Sequence, residues 1–199
     1  MYDKKERLIL EDCTLCPREC RINRFEGGTG YCGTDAGLNI ATVCVHKGEE
    51  PVISGYNGIC NIFFSGCNLH CLYCQNHEIS QRGTITSIGG ADLDEVLDQI
   101  VKIISEGISS VGFVSPSHVL PQVKAIIRGL NSRGYKPITV YNTNGYDKLE
   151  TIRSLSGMID VYLPDYKYVT RGIALEYSDA TDYPEIALKA LKEMYYQKG

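Results

Sequence analysis

Three cysteines stand close together in Cys67-Asn-Leu-His-Cys71-Leu-Tyr-Cys74, a C-x3-C-x2-C run. Thiolates at this spacing in one short loop can grip three corners of a cubane iron–sulfur cluster. A four-cysteine set saturates such a cluster and suits it to electron transfer. With three protein ligands, one iron keeps an open position for a substrate or cofactor, by the logic that separates open catalytic zinc sites from closed structural ones. Read from the residues alone, structural zinc or thiols that hold nothing are the alternatives. A second set, Cys13-x2-Cys16-x3-Cys20-x11-Cys32, brings four thiolates. That is the number that closes a tetrahedral zinc or holds an auxiliary iron–sulfur cluster. Arg18, Arg21 and Arg24 can offset the negative charge of either, and free buried thiols are the reading without metal.

The three-cysteine run directly follows an apolar stretch, residues 61–64, that reads as a strand ending in a Ser65-Gly66 turn. Beyond it the pattern is regular. A helix is expected over 92–106, with Asp92 as cap, Glu95 three residues on and Gly107 as stop. Strand 111–114 follows, then a helix opened by Pro121 and closed by Gly134. Strand 138–141, helix 147–155, strand 158–163 and helix 184–196 complete the series. Strands alternating with helices predict βαβ units and a parallel sheet, with function at the C-terminal ends of the strands. Four polar loops then converge on one rim: Ser65-Gly66-Cys67, Ser115-Pro116-Ser117-His118, Asn142-Thr143-Asn144-Gly145 and Pro164-Asp165-Tyr166-Lys167. The first 57 residues instead read as a Gly-rich, loop-dominated cysteine module with short strands such as 39–45, and 58–199 as the core domain.

Composition narrows the function classes. The 199 residues are 43% apolar and 22% charged, as in a soluble globular protein, and a net charge of −4 offers no field to gather nucleic acid or anionic lipid. The basic residues Lys4, Lys5, Arg7, Arg18, Arg21 and Arg24 alternate with acidic ones and read as a solvated face. No export signal and no apolar run of membrane-spanning length is present, so a cytoplasmic location is expected, where thiols stay reduced and clustered cysteines bind metal.

The three-cysteine motif, with aromatic Tyr73 just before its last cysteine, resembles the signature of the radical S-adenosylmethionine (SAM) superfamily. Further stretches are similar to pyruvate formate-lyase activating enzyme-like proteins, an uncharacterised branch: Cys16-Pro17-Arg18-x-Cys20, Asn23-Arg24, Gly30-x-Cys32, His46-x-Gly48-Glu49-Glu50-Pro51, and Phe63 through Asn76. The resemblance implies a partial (β/α) radical SAM barrel with about four units visible, C-terminally truncated against the usual six. It implies an enzyme of the oxidoreductase kind that reductively cleaves SAM at a [4Fe–4S] cluster, forms a 5′-deoxyadenosyl radical and activates a partner protein of glycyl radical type. It also implies an electron donor such as flavodoxin or ferredoxin. Cys67, Cys71 and Cys74 match the cluster ligands. Tyr73 matches the position flanking the adenine, and Asp165 and Lys167 resemble an acidic–basic pair that contacts SAM. Asn142 and Asn144 also face SAM on this reading, although Asn-Gly is a common turn signal. Where many relatives carry Gly-Gly-Glu, this chain has Val114-Ser115-Pro116-Ser117-His118, leaving Ser115, Ser117 or carbonyls to receive the SAM amino group. An iron–sulfur electron carrier and a zinc-stapled remnant of a longer enzyme are the competing functions.

Cys44 and Cys60 lack partners at ligand spacing and read as small core residues. His70 and His77 flank the cluster loop as supporting or solvent-facing groups, His46 and His118 read as satisfied structural histidines, and Glu49 and Glu50 as surface turn residues. The tyrosine-rich stretch from Tyr162 to Tyr183 reads as packing with exposed hydroxyls.

Overall fold

The computed structural model describes residues 1–81 and 91–199. Five strands form one sheet in the order β1-β2-β3-β4-β5: β1 Ile40–His46, β2 Ile59–Phe64, β3 Ser110–Val114, β4 Ile138–Thr143 and β5 Val161–Pro164. The last four run parallel, with Asn61 beside Gly112, Gly112 beside Val140 and Val140 beside Val161. β1 is antiparallel to β2, so the cysteine-rich segment adds a strand to the same sheet, with Cys44 opposite Asn61 and His46 opposite Ile59.

Helix α1 (Lys4–Glu11) opens with a capping box between Asp3 and Glu6. Two single turns follow, α2 (Pro51–Ser54) and α3 (His77–Ser80), then α4 (Leu93–Ser105), α5 (Leu120–Ser132), α6 (Leu149–Arg153), α7 (Arg171–Ser178) and α8 (Tyr183–Lys198). The parallel strands alternate with helices, as the apolar periodicity predicts, giving four β/α units of a partial barrel. Among the described residues no helix is long and apolar enough to cross a membrane.

Alternation along β2 divides the sheet into two faces. Cys60, Ile62 and Phe64 pack with Val111, Phe113 and Tyr141 against Val96, Leu97 and Ile100 of α4 and Val123 and Ile126 of α5. Each such fully buried aliphatic side chain contributes about 1.5–3 kcal/mol. Asn61 and Phe63 take the opposite, concave face. Gly112 leaves room for Asn61, since a Cβ there would stand 2.1 Å from Asn61 Oδ1 and force that side chain to move.

The structure departs from the sequence reading in several places. Asp92 makes no side-chain capping bond. α6 is shorter than 147–155, because Asp147 turns inward to accept hydrogen bonds from Tyr141 and Thr143. β5 starts after residue 160, whose carboxylate is engaged by the Thr139 backbone N–H. Helices α1 and α7 were not expected. Two of the basic residues read as solvated are not: Arg24 is only 2% exposed, donating to Thr34 and to the carbonyls of Asp35 and His118. Arg18 keeps 14% side-chain exposure. Backbone carbonyls satisfy both guanidiniums, so neither needs bulk water.

Candidate functional site

Gly66 ends β2 with a φ of +74°, and a Cβ on it would lie 2.2 Å from the carbonyl oxygen of Cys32. Only glycine lets the cysteine loop pass this close to the N-terminal segment. Its N–H donates to Ile79 O of α3, and Leu72 N–H donates to Tyr177 O of α7, so the loop is anchored on both sides. Asn68 is fully buried; its amide donates to Tyr146 O at 2.7 Å and its oxygen accepts from Asn144 Nδ2 at 2.8 Å.

Each thiol of the loop has a polar partner. Cys67 Sγ accepts from Leu69 N–H and Asn144 Nδ2, both at 3.4 Å. Cys71 Sγ accepts from Ser178 Oγ at 2.8 Å, and Cys74 Sγ lies 3.2 Å from Ser80 Oγ. Burial pushes the Cys67 thiol up to about 12, with the Leu69 and Asn144 contacts working against it. A thiol this reluctant to ionise becomes a thiolate once a cation binds it, because the cation supplies the stabilising charge.

A cavity of about 540 Å³ opens above this loop, within the range of small-molecule sites. Its walls include Cys67, Cys71 and Cys74 together with Tyr73, Ser115, Asn142, Asn144, Asp165 and Lys167. The structure thus brings these residues together on one surface, whereas Ser117, the other hydroxyl expected to receive the SAM amino group, is fully buried away from it with its Oγ 3.1 Å from Thr143 Oγ1. Ser115 takes a left-handed backbone (φ 50°), and its N–H donates to Asn142 O at 2.8 Å. Lys167 Nζ lies 2.6 Å from Asp165 Oδ2. Burial disfavours the charged lysine, but the Asp165 hydrogen bond and charge outweigh it and hold the lysine above its ordinary value. Tyr73 donates to Tyr168 at 2.6 Å, and Tyr168 meets Ser178, so an aromatic hydroxyl chain ends at Cys71.

Sequence reasoning missed three contributors. Tyr183 is completely buried; it donates to Asn144 O at 2.8 Å and accepts from Lys167 N–H at 2.9 Å, fixing two of the rim loops. His46 and Glu49, read as a structural histidine and a surface turn residue, line the cavity from β1 and the turn after it. Glu49 Oε1 accepts from Asn61 Nδ2 at 2.9 Å. The antiparallel pairing of β1 brings them there. The stretch His46-x-Gly48-Glu49-Glu50-Pro51 carries part of the family resemblance, but nothing in it assigns these two side chains to the cavity wall.

The other cysteines sort differently. Cys13, Cys16, Cys20 and Cys32 border one small hollow of about 10 Å³ together with Arg18, Arg24 and His118. Tyr31 N–H donates to Cys20 Sγ at 3.3 Å. Burial pushes the Cys16 thiol up to about 12. Cys60 is in the core with no exposure, whereas Cys44 is half-buried on the concave face. His118 is buried with Nε2 2.8 Å from Ser65 O, but its Nδ1 is buried without a hydrogen-bond partner among the described residues. The expected satisfied histidine is thus only half satisfied, and burial pulls it down to about 4. His77 is exposed, and His70 stacks on Tyr31 at 4.3 Å. Among the described residues no three His, Cys, Asp or Glu side chains are arranged around a single ion. A cubane asks for less convergence, because each thiolate reaches a different iron. Three partnered thiols on an open cavity, with side-chain donors aimed at sulfur, fit that group. A larger hollow of about 670 Å³ between β5 and α8, lined by Val161, Tyr162, Leu191 and Tyr195, holds none of the cavity's cysteines or polar rim residues.

Residues 61–195 match the model of the radical SAM superfamily. The chain is also 30% identical over 184 residues to the uncharacterized protein MJ0674 of Methanocaldococcus jannaschii, a match covering 89% of this chain and 52% of that protein. A second uncharacterized protein of that organism, MJ0808, is 32% identical over 82 residues, covering 35% of this chain and 24% of its own length. The chain therefore spans about half the length of the first of these relatives.

Proposed function

This chain belongs to the radical SAM superfamily, and on that premise we propose that it is an enzyme whose [4Fe–4S] cluster is held by Cys67, Cys71 and Cys74 and whose cavity takes SAM. The single observation that carries the reading is the convergence of the three cysteines with Tyr73, Ser115, Asn142, Asn144, Asp165 and Lys167 on one cavity. Cys67, Cys71 and Cys74 would hold the cluster, and the chemistry it would supply there is one-electron reductive cleavage of SAM to methionine and a 5′-deoxyadenosyl radical able to take a hydrogen atom from a substrate.

The chain's own residues prepare the site. Asn144 and Ser178 donate to ligand sulfurs and favour the thiolate form. Lys167 meets the SAM carboxylate, Asp165 its amino or ribose groups, and Tyr73 flanks the adenine, while Ser115 and Asn142 offer polar atoms at the ends of β3 and β4. We take the substrate to be a segment of a partner protein, as in glycyl radical activation. The support is the exposed rim, where Leu72 and Tyr73 are 73% and 53% accessible beside the cysteines. The same rim gives an electron donor such as flavodoxin or ferredoxin close approach. For Cys13, Cys16, Cys20 and Cys32 we propose a second metal, zinc or iron–sulfur, that would staple residues 1–57 as a module against a core of 58–199. No three of these thiols are gathered around one ion, so zinc would require them to close in.

The test is an EPR spectrum of anaerobically reconstituted, reduced protein with and without SAM, beside Cys71→Ala. A [4Fe–4S] signal that SAM perturbs, absent from the variant, is the expected result. A cluster indifferent to SAM transfers the protein to the electron carriers. No cluster at all leaves a zinc-stapled remnant.

A further inference from the structure

Arg18 sits between Cys16 and Cys20 in the N-terminal set, yet its guanidinium serves the other cysteines. Nε donates to Asn68 O at 2.9 Å, inside the C-x3-C interval, and Nη2 donates to Ser178 O at 3.3 Å while Nη1 donates to Asp179 O. One planar fork thus joins the cluster loop to the C-terminal end of α7. The same guanidinium lies 3.7 Å over the Tyr31 ring, and Tyr31 stacks on His70, the residue before Cys71. Ser178, held by its carbonyl, points its hydroxyl at Cys71 Sγ from 2.8 Å and has no exposure.

We propose that Arg18 is a positioning residue for the cluster, acting through Ser178: it fixes the Asn68 turn and the Ser178 backbone together, so that the serine hydroxyl stays aimed at the Cys71 thiolate. This rests on Cys71 being a cluster ligand. A hydrogen bond to a ligand sulfur stabilises the reduced, more negative cluster, so its loss lowers the reduction potential. Lysine cannot replace the fork, since it offers a point charge without planar, divergent donors.

The experiment is an EPR-monitored redox titration of reconstituted wild type, Arg18→Lys, Ser178→Ala and the double variant. We expect both single variants to shift to more negative potential by about tenfold in the one-electron equilibrium, ~59 mV. The double variant should match Ser178→Ala alone. A wild-type potential in Arg18→Lys overturns the proposal, because charge rather than the fork then suffices. Additive shifts in the double variant overturn it as well, since Arg18 then acts by another route. If Arg18→Lys does not fold, Ser178→Ala decides, removing a single oxygen: an unchanged potential there sinks the idea. A wild type that loads no cluster removes the premise together with the inference, whereas a SAM-sensitive wild type with unmoved variant potentials removes the inference alone.

Discussion

The two cysteine groups lie back to back, with Gly66 pressed against Cys32, but they are built on opposite plans. The N-terminal four surround a hollow of about 10 Å³, and the polar contacts of Cys20 and Cys32 come from within the same segment: Tyr31 N–H, Thr29 O and the Thr34 hydroxyl. The later three edge a cavity of about 540 Å³, and two of their sulfurs receive donors from 77 and 107 residues away, Asn144 and Ser178. A closed, locally supported set suits a staple. An open set tuned by distant side chains suits chemistry, because each donor can be adjusted without remaking the loop.

The strongest way to break this contrast is to delete one cysteine from each group. Cys71→Ala should abolish the SAM-sensitive EPR signal. Cys16→Ala should keep that signal while losing the metal proposed for the N-terminal set, read by metal analysis, and lowering the melting temperature. Equal loss of the signal in both variants would erase the distinction.

Next in size is the contact between the groups. Gly66→Ala places a side chain at φ +74° and drives a Cβ into the Cys32 carbonyl. Backbone strain alone costs about 1–3 kcal/mol, and the clash adds to it, so melting should fall by at least ~4 °C for a chain of this size. An unshifted melting curve would mean the two groups are not in contact.

His118 joins the two regions, its ring against Ser65 O and its carbonyl taking Arg24. Burial lowers its pKa from 6.5 to about 4. Below pH 6.5 the unfolded chain binds a proton that the folded chain refuses, so stability present above that pH is lost as the pH falls towards 4. Denaturant unfolding at pH 7 and pH 5 should differ by about 2 kcal/mol more in wild type than in His118→Gln. Equal pH dependence would show that the ring is solvated.

The smallest expected effect lies on the open side. Lys167→Met should weaken SAM binding by about tenfold, ~1.4 kcal/mol, with iron content unchanged. Calorimetric titration reads the affinity, and loss of iron along with it would show that the Lys167–Asp165 pair supports the loop rather than the ligand.

The parallel half of the fold was legible because apolar periodicity switches cleanly between strand and helix after residue 58, and because loops at the C-terminal ends of parallel strands must share a rim. That logic places Ser115, Asn142, Asn144, Asp165 and Lys167 around the cysteines without any knowledge of contacts. The N-terminal segment resisted the same treatment. Its one strand lies where the sequence reading put it, at Ile40–His46 against an expected 39–45, but its antiparallel pairing with β2 carries no local signal. Arg18 and Arg24 look like surface charges until the carbonyls they satisfy are in view. Tyr183 was hidden for a related reason: a buried hydroxyl that bridges two loops carries no local pattern.

The antiparallel seat of β1 has a consequence for how such a protein can change over time. His46 and Glu49 line part of the cavity, yet both precede residues 61–195, the stretch shared with the superfamily. That wall and the cysteine loop are therefore written in separate stretches of gene. Drift at the codons of these two side chains can refit the wall for a new guest, so long as Arg18 and Cys32, which brace the cysteine loop, pass unaltered to the descendants.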